Sequence, residues 1–465
     1  MNRHMLRAGW VKLGLLLALI TAGGAAGLYL SGAGTQEPQD PGEHHATTKP
    51  ADGPAPPVTH RFPLTARDAK DSVEAPELAT DDSGRIFLTW ASKTGDAERT
   101  VFLSRTSDNG KTFDTPRGLS KGGVFKSRGK SGYERRATPH LGMAGDKLLL
   151  AWSGADLAGA GIKFLWAESA DAGDTFSTPV SIVRATESNA TFISFTAGPG
   201  GDIGAAWLAG AQQVFAAVRR AGASAFEEER LVYAGQDGKG VCPCCATAVC
   251  FGADGTLYVG FRNIQGEYRD IAVARLRPGQ KAFEGPFPVT PDTWKLNGCP
   301  HDGPSLAVVG GELHVVWMDA HSGPSRCYHA RARLADLKFE ARPLYADGPG
   351  TQGNAKLCAD ATGGLHVVFE QSLGAESADA HAGHHQHAAP KAGAGGGRAI
   401  HYARLAPGQT SFGPARSMSP KPGVFQSRPT VVAASTGDLW AAWNELDETG
   451  KAVVVTRLPW GIGHD

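Results

Sequence analysis

The chain has 465 residues, 41% of them apolar, which is enough for a large buried core. Lys+Arg and Asp+Glu both total 46, so the net charge is zero and the basic excess of a nucleic-acid or polyanion binder is absent. With 61 glycines and 29 prolines the chain is too rich in turn formers for a helical protein, and no Gly-X-Y period marks a collagen.

Arg3, Arg7 and Lys12 precede an apolar run from Leu13 to Leu30, and the acidic Glu37 and Asp40 follow it. Positive charge ahead of such a run predicts export of everything downstream. Residues 1–33 read equally as a cleaved signal peptide, with Ser-Gly-Ala ending at Ala33, or as a membrane-anchoring helix. No cysteine precedes Cys242, which excludes a lipoprotein. Residues 34–57 form a Pro/Gly-rich linker. The expected location is periplasmic, or inner-membrane-anchored and facing the periplasm.

From residue 58 onward one pattern recurs: a short apolar strand, a glycine-containing turn, then a strand ending in an aromatic. The copies run over Ala75–Trp90, Thr138–Trp152, Phe192–Trp207, Thr247–Phe261, Pro304–Trp317, Ala355–Phe369 and Pro429–Trp443. Third and fourth strands follow, as in Thr100–Thr106 and the segment opening at Phe113. The period of two excludes helices. Four short strands repeated every 50-odd residues predict an all-β, seven-bladed β-propeller over 58–465, with a six-bladed ring as the alternative. The seventh copy lacks a fourth strand, and Thr59–Asp68 supplies one, closing the ring.

Two turns carry a motif, Thr106-Ser107-Asp108-Asn109-Gly110-Lys111-Thr112-Phe113 and Ser169-Ala170-Asp171-Ala172-Gly173-Asp174-Thr175-Phe176. Both resemble the Asp-box (BNR) hairpin of the sialidase superfamily. In it the aspartate accepts turn N–H groups, the glycine takes positive φ and the aromatic packs beneath. The structural residues are then Asp108, Gly110, Phe113, Asp171, Gly173 and Phe176. The chain as a whole resembles bacterial exported exo-α-sialidase-like, BNR-repeat proteins. That resemblance implies a glycoside hydrolase with three arginines on a substrate carboxylate, a Tyr nucleophile assisted by Glu, and an Asp acid/base. Arg428, before Pro429, and Arg136, three before Pro139, match the arginine positions, and Asp302 is a further catalytic candidate. The first copy has Glu74-Ala75-Pro76 where an arginine is expected, so the set is incomplete and hydrolysis stays open. Tyr133-Glu134, Glu267-Tyr268 and Glu445 are the candidates for the Tyr/Glu pair.

Unusual residues stand just before the innermost strands: Arg136, then Cys242-Pro243-Cys244-Cys245, then Cys299-Pro300-His301-Asp302, Gln352 and Arg428. In a propeller these loops converge on one mouth, where ligands bind. Arg136, Trp294, Asp302 and Arg428 are the candidate ligand-binding residues. Cys242, Cys244, Cys245, Cys299 and His301 read as a disulfide, as a copper or zinc site, or as a redox-active thiol pair. Seven cysteines is an odd number, so at least one thiol stays outside any disulfide. A His-rich insert, 373–398, adds His381, His384, His385 and His387 as further copper or zinc ligands. Three functions follow: recognition, with or without hydrolysis, of a glycan or small ligand at the mouth; copper or zinc handling; or a non-catalytic scaffold for a protein partner.

Overall fold

The computed structural model describes residues 58–64, 75–93, 99–119, 138–155, 162–183, 190–209, 212–291, 293–298, 300–372, 397–418 and 423–458. The expected leader (1–33), the linker (34–57), Tyr133-Glu134, Arg136, Cys299 and the four insert histidines lie outside the described residues. Among the described residues there is no α-helix, and the strands join as antiparallel meanders. Five sheets have four strands each. An eight-stranded sheet is two more such meanders, joined by one parallel bridge between Arg398 and Phe425. We number the seven meanders as blades one to seven, over 77–118, 140–181, 191–233, 248–288, 305–343, 352–417 and 425–457.

Their innermost strands are Glu77–Thr80, His140–Ala144, Thr191–Ala197, Ala248–Phe251, Ser305–Val309, Gln352–Ala359 and Phe425–Ala433. Each packs against the next in that order, and the last packs against the first. This cyclic order is that of a β-propeller. Blade seven takes its fourth strand from the other end of the chain: Thr59–Pro63 pairs antiparallel with Gly450–Arg457. The Thr59 and Thr456 hydroxyls meet there at 2.8 Å.

Alternation along each strand sends one set of side chains to the preceding blade and the other to the following blade. In Ile86–Lys93, Ile86, Leu88 and Trp90 enter the core shared with blade seven, while Phe87 and Ala91 enter the core shared with blade two. The aromatic that ends each repeat always packs toward the preceding blade. Trp90, Trp207, Phe261, Trp317, Phe369 and Trp443 are buried there, and Trp152 is partly buried in the equivalent place. That role explains the sequence repeat, because each blade needs one large ring to fill the wedge against its neighbour.

The two Asp-box turns have the expected geometry. Thr112 donates its N–H to Asp108 Oδ1 at 2.9 Å and its hydroxyl to Oδ2 at 2.6 Å, and Thr175 does the same to Asp171 at 2.8 and 2.6 Å. Gly110 and Gly173 have φ of 80° and 90°. Hydrogen bonds from the Thr106 and Thr112 hydroxyls hold the Asp108 carboxyl far below the usual carboxylate range, and Thr175 does so for Asp171. Phe113 lies edge-on to Trp440 of blade seven at 6.2 Å. Phe176 packs on the core of blades one and two.

Candidate functional site

The approach to three innermost strands is bulged, between Thr191 and Ser194, Gly353 and Lys356, and Ser427 and Thr430. Inside each bulge sits a non-glycine residue with left-handed backbone: Phe192 (φ 56°), Asn354 (51°) and Arg428 (55°). All three stand at one offset, three residues before Phe195, Leu357 and Val431. A β-carbon makes that conformation cost roughly 1–2 kcal/mol per residue.

Asn354 and Arg428 are held by a carboxylate of the preceding blade. Asn354 donates its N–H to Asp302 Oδ2 at 2.6 Å, and Arg428 donates its N–H to Glu370 Oε1 at 2.7 Å. Glu370 also receives Asn354 Nδ2 at 2.7 Å and Arg398 Nη1 at 2.7 Å. Burial pushes the Asp302 carboxyl up to about 6, although the Asn354 N–H and the Arg262 guanidinium pull it down. The neighbouring Cys245 and Glu370 add to the rise.

Arg262, last residue of Leu257–Arg262 in blade four, ties this network to the cysteine loop. Its guanidinium is buried and donates to three carbonyls: Asp302 O at 3.1 Å, Arg269 O at 2.7 Å and Met318 O at 2.8 Å. Its own carbonyl accepts the Cys242 N–H at 3.0 Å. The guanidinium lies 5.2 Å from the centre of the Trp294 ring. Trp294, expected as a stacking surface for a ligand, is buried, with its backbone N–H on Asp270 Oδ1 at 3.0 Å.

The cysteine loop follows from local sequence. Pro243 and Cys244 form the centre of a tight turn, and proline at the second turn position presets φ. The turn draws its first and last residues together. Cys242 Sγ lies 3.4 Å from Cys244 Sγ and 3.6 Å from Cys245 Sγ, and the latter two are 4.0 Å apart. All three thiols are buried, with Ile264 packed against them. Burial and the Cys242 thiol push the Cys245 thiol up to about 12, while Arg262 and Cys244 act the other way. No disulfide links the six described cysteines to one another; a bridge to Cys299 concerns a residue outside the described set. Cys250 is buried in the core of blades four and five, Cys327 and Cys358 serve the cores on either side of blade six, and burial raises all three thiols.

The site residues expected from the sequence thus divide. One hydrogen-bonded network across blades four to seven connects Cys242, the loop of His301 and Asp302, and Arg428, through Arg262, Asn354 and Glu370. His301 itself has a left-handed backbone, φ 57°. Sequence reasoning passed over Glu370 and Asn354, although the shared offset of Asn354 and Arg428 was a usable signal. Gln352 is a buried structural residue, accepting the Cys327 N–H at 2.9 Å. Of the Tyr/Glu candidates, Glu267 pairs with Lys295 at 3.5 Å. Glu445 is buried against Gln426 Nε2 at 3.1 Å and Arg61 Nε at 3.5 Å.

No family model and no curated protein matches the chain. Solved structures are similar at low identity. Polysaccharide lyase Uly1 is 13% identical with a TM-score of 0.51, over 82% of this chain and 90% of that one. The β-propeller domain of the Trilobed protease from Pyrococcus furiosus is 10% identical with a TM-score of 0.47, over 83% and 93%. A Hadza microbial sialidase is 14% identical with a TM-score of 0.44, over 64% of this chain and 63% of that one, so the match spans less than two thirds of the sialidase. At these identities the likeness is one of fold alone, and the cyclic order of the blades makes that fold a β-propeller.

Proposed function

We propose that this protein is an exported glycan-binding propeller that takes a carboxylate-bearing sugar at the innermost-strand approaches of blades six and seven. The observation that carries the reading is the left-handed backbone of Arg428, a non-glycine residue at the offset where Phe192 is buried in the core of blades three and four and Asn354 bonds Glu370. Glycine would adopt that backbone without cost, so side chains placed there are best explained by their use. Arg428 supplies a guanidinium, whose fork matches a carboxylate at two points. Sialidases and a polysaccharide lyase among the similar structures make glycans the class to try first. Hydrolysis is not part of the proposal, since Glu267 and Glu445 are engaged in other contacts. Export rests on the N-terminal apolar run, and cell fractionation tests it.

The binding test uses Arg428→Gly, which relieves the backbone while deleting the guanidinium. Calorimetry with 3′-sialyllactose and with uronate oligosaccharides should show binding by the parent chain. The variant should lose at least about tenfold in affinity, roughly 1.4 kcal/mol, while circular dichroism shows the fold retained. No binding by the parent, or equal binding by Arg428→Gly, overturns the reading.

A further inference from the structure

The cysteine turn carries a second site, independent of the glycan reading. Circling the three sulfur positions gives a radius of about 2.1 Å from their separations of 3.4, 3.6 and 4.0 Å. A zinc–thiolate bond is about 2.3 Å long. An ion equidistant from all three sulfurs therefore stands a little under about 1 Å off their plane, as a tetrahedral or shallow trigonal ion does, with no sulfur having to move. The separations are far above the roughly 2.05 Å of a disulfide bond. From this triangle we propose that Cys242, Cys244 and Cys245 bind one thiophilic d10 ion, zinc(II) or copper(I), as three thiolates.

Binding balances simply. Three S–H protons leave to solvent as three metal–sulfur bonds form, and no atom changes oxidation state. Three thiolates with zinc(II) carry one net negative charge, which the buried Arg262 guanidinium offsets. With copper(I) the site carries two negative charges, one of them left over after Arg262, so burial favours zinc(II). Soft sulfur donors select these ions over magnesium or calcium. The apolar packing of Ile264 against the thiols keeps solvent from competing.

The test uses the full chain, reduced, with His381→Ala, His384→Ala, His385→Ala and His387→Ala, so that the imidazole tract cannot supply the ligands. Zinc(II) and copper(I) are added in separate arms and excess is removed by a chelator. The expected result is one ion per chain with three sulfur scatterers by X-ray absorption, and loss of that ion in Cys244→Ser and Cys245→Ser. Cadmium(II) gives a second readout that needs no cysteine variant, because its sulfur charge-transfer absorbance should correspond to three thiolates. The proposal is overturned if neither ion is retained, if the serine variants retain it fully, if the cadmium band corresponds to fewer than three thiolates, or if peptide mapping finds a disulfide within the trio.

Discussion

The carboxylate of Glu370 accepts the backbone N–H of Arg428 at 2.7 Å, and one blade earlier the carboxylate of Asp302 holds Asn354 in the same way at 2.6 Å. A buried acid of one blade thus fixes the left-handed approach to the next. This relation positions the side chains proposed to meet a glycan, and it couples blades five to seven at the same end as the cysteine turn.

Removing that carboxylate should therefore destabilise the ring. Glu370→Ala leaves the N–H of Arg428 and the amide of Asn354 without their acceptor, at a cost of about 2–4 kcal/mol. Glu370→Gln keeps one acceptor oxygen and should cost about half as much. Urea denaturation of the two variants measures both, and equal stability to the parent would show that the latch carries no load.

Acid should weaken the fold through His314 and His329. Their rings stack 5.3 Å apart, with Nδ1 and Nε2 at 3.0 Å, in the buried interior of blade five. Burial lowers His314 to about 4 and His329 to about 3. The unfolded chain takes up protons near the ordinary value of 6.5 while the folded chain does not. Stability is therefore full above that value and falls as pH drops below it. By pH 5 the loss should be about 2 kcal/mol per histidine. Thermal melts from pH 7.5 to 5 check the slope, and a double replacement by Leu and Phe should flatten it.

Contact between blades one and seven is open to a glycine test. A Cβ on Gly110 would land on the Trp440 indole, and φ there is +80°. Gly110→Ala should cost about 2–4 kcal/mol, backbone and overpacking together. Gly145 has φ +62°, and a Cβ there would meet no heavy atom within 4 Å, so Gly145→Ala should cost only about 1–2 kcal/mol. Matching losses by chemical denaturation would deny the interblade contact its role.

Ring closure predicts a sharp boundary at the start of the propeller. A chain beginning at residue 58 keeps Thr59–Pro63 on Gly450–Arg457 and should melt cooperatively as a monomer. A chain beginning at residue 65 exposes the edge of Gly450–Arg457 and loses Phe62 from the core with Trp90, and should aggregate or melt well below it. Size-exclusion chromatography and circular dichroism distinguish the two outcomes.

Much of this architecture is legible in the chain alone. The aromatic every 50-odd residues marks the wedge ring of each blade, the Asp-box strings mark their turns, and Thr59 onward identifies the closing strand. Cys242-Pro243-Cys244-Cys245 likewise announces a tight turn bearing thiols. The burial of Trp294 beneath Arg262 was not readable, because the same tryptophan in the same loop would stack on a ligand if Arg262 pointed elsewhere. Nor was Glu370, whose partner Arg428 is 58 residues away.

Neighbouring residues settle some features among themselves: strand periodicity, turn type, the αL glycines and the crowding of sulfur within one turn. Side-chain alternation and backbone sterics act over two to four residues and need no distant partner. Which carboxylate meets which N–H across blades, and which aromatic is covered, depends on how distant segments pack. Those contacts exist because the ring closes and brings remote loops side by side.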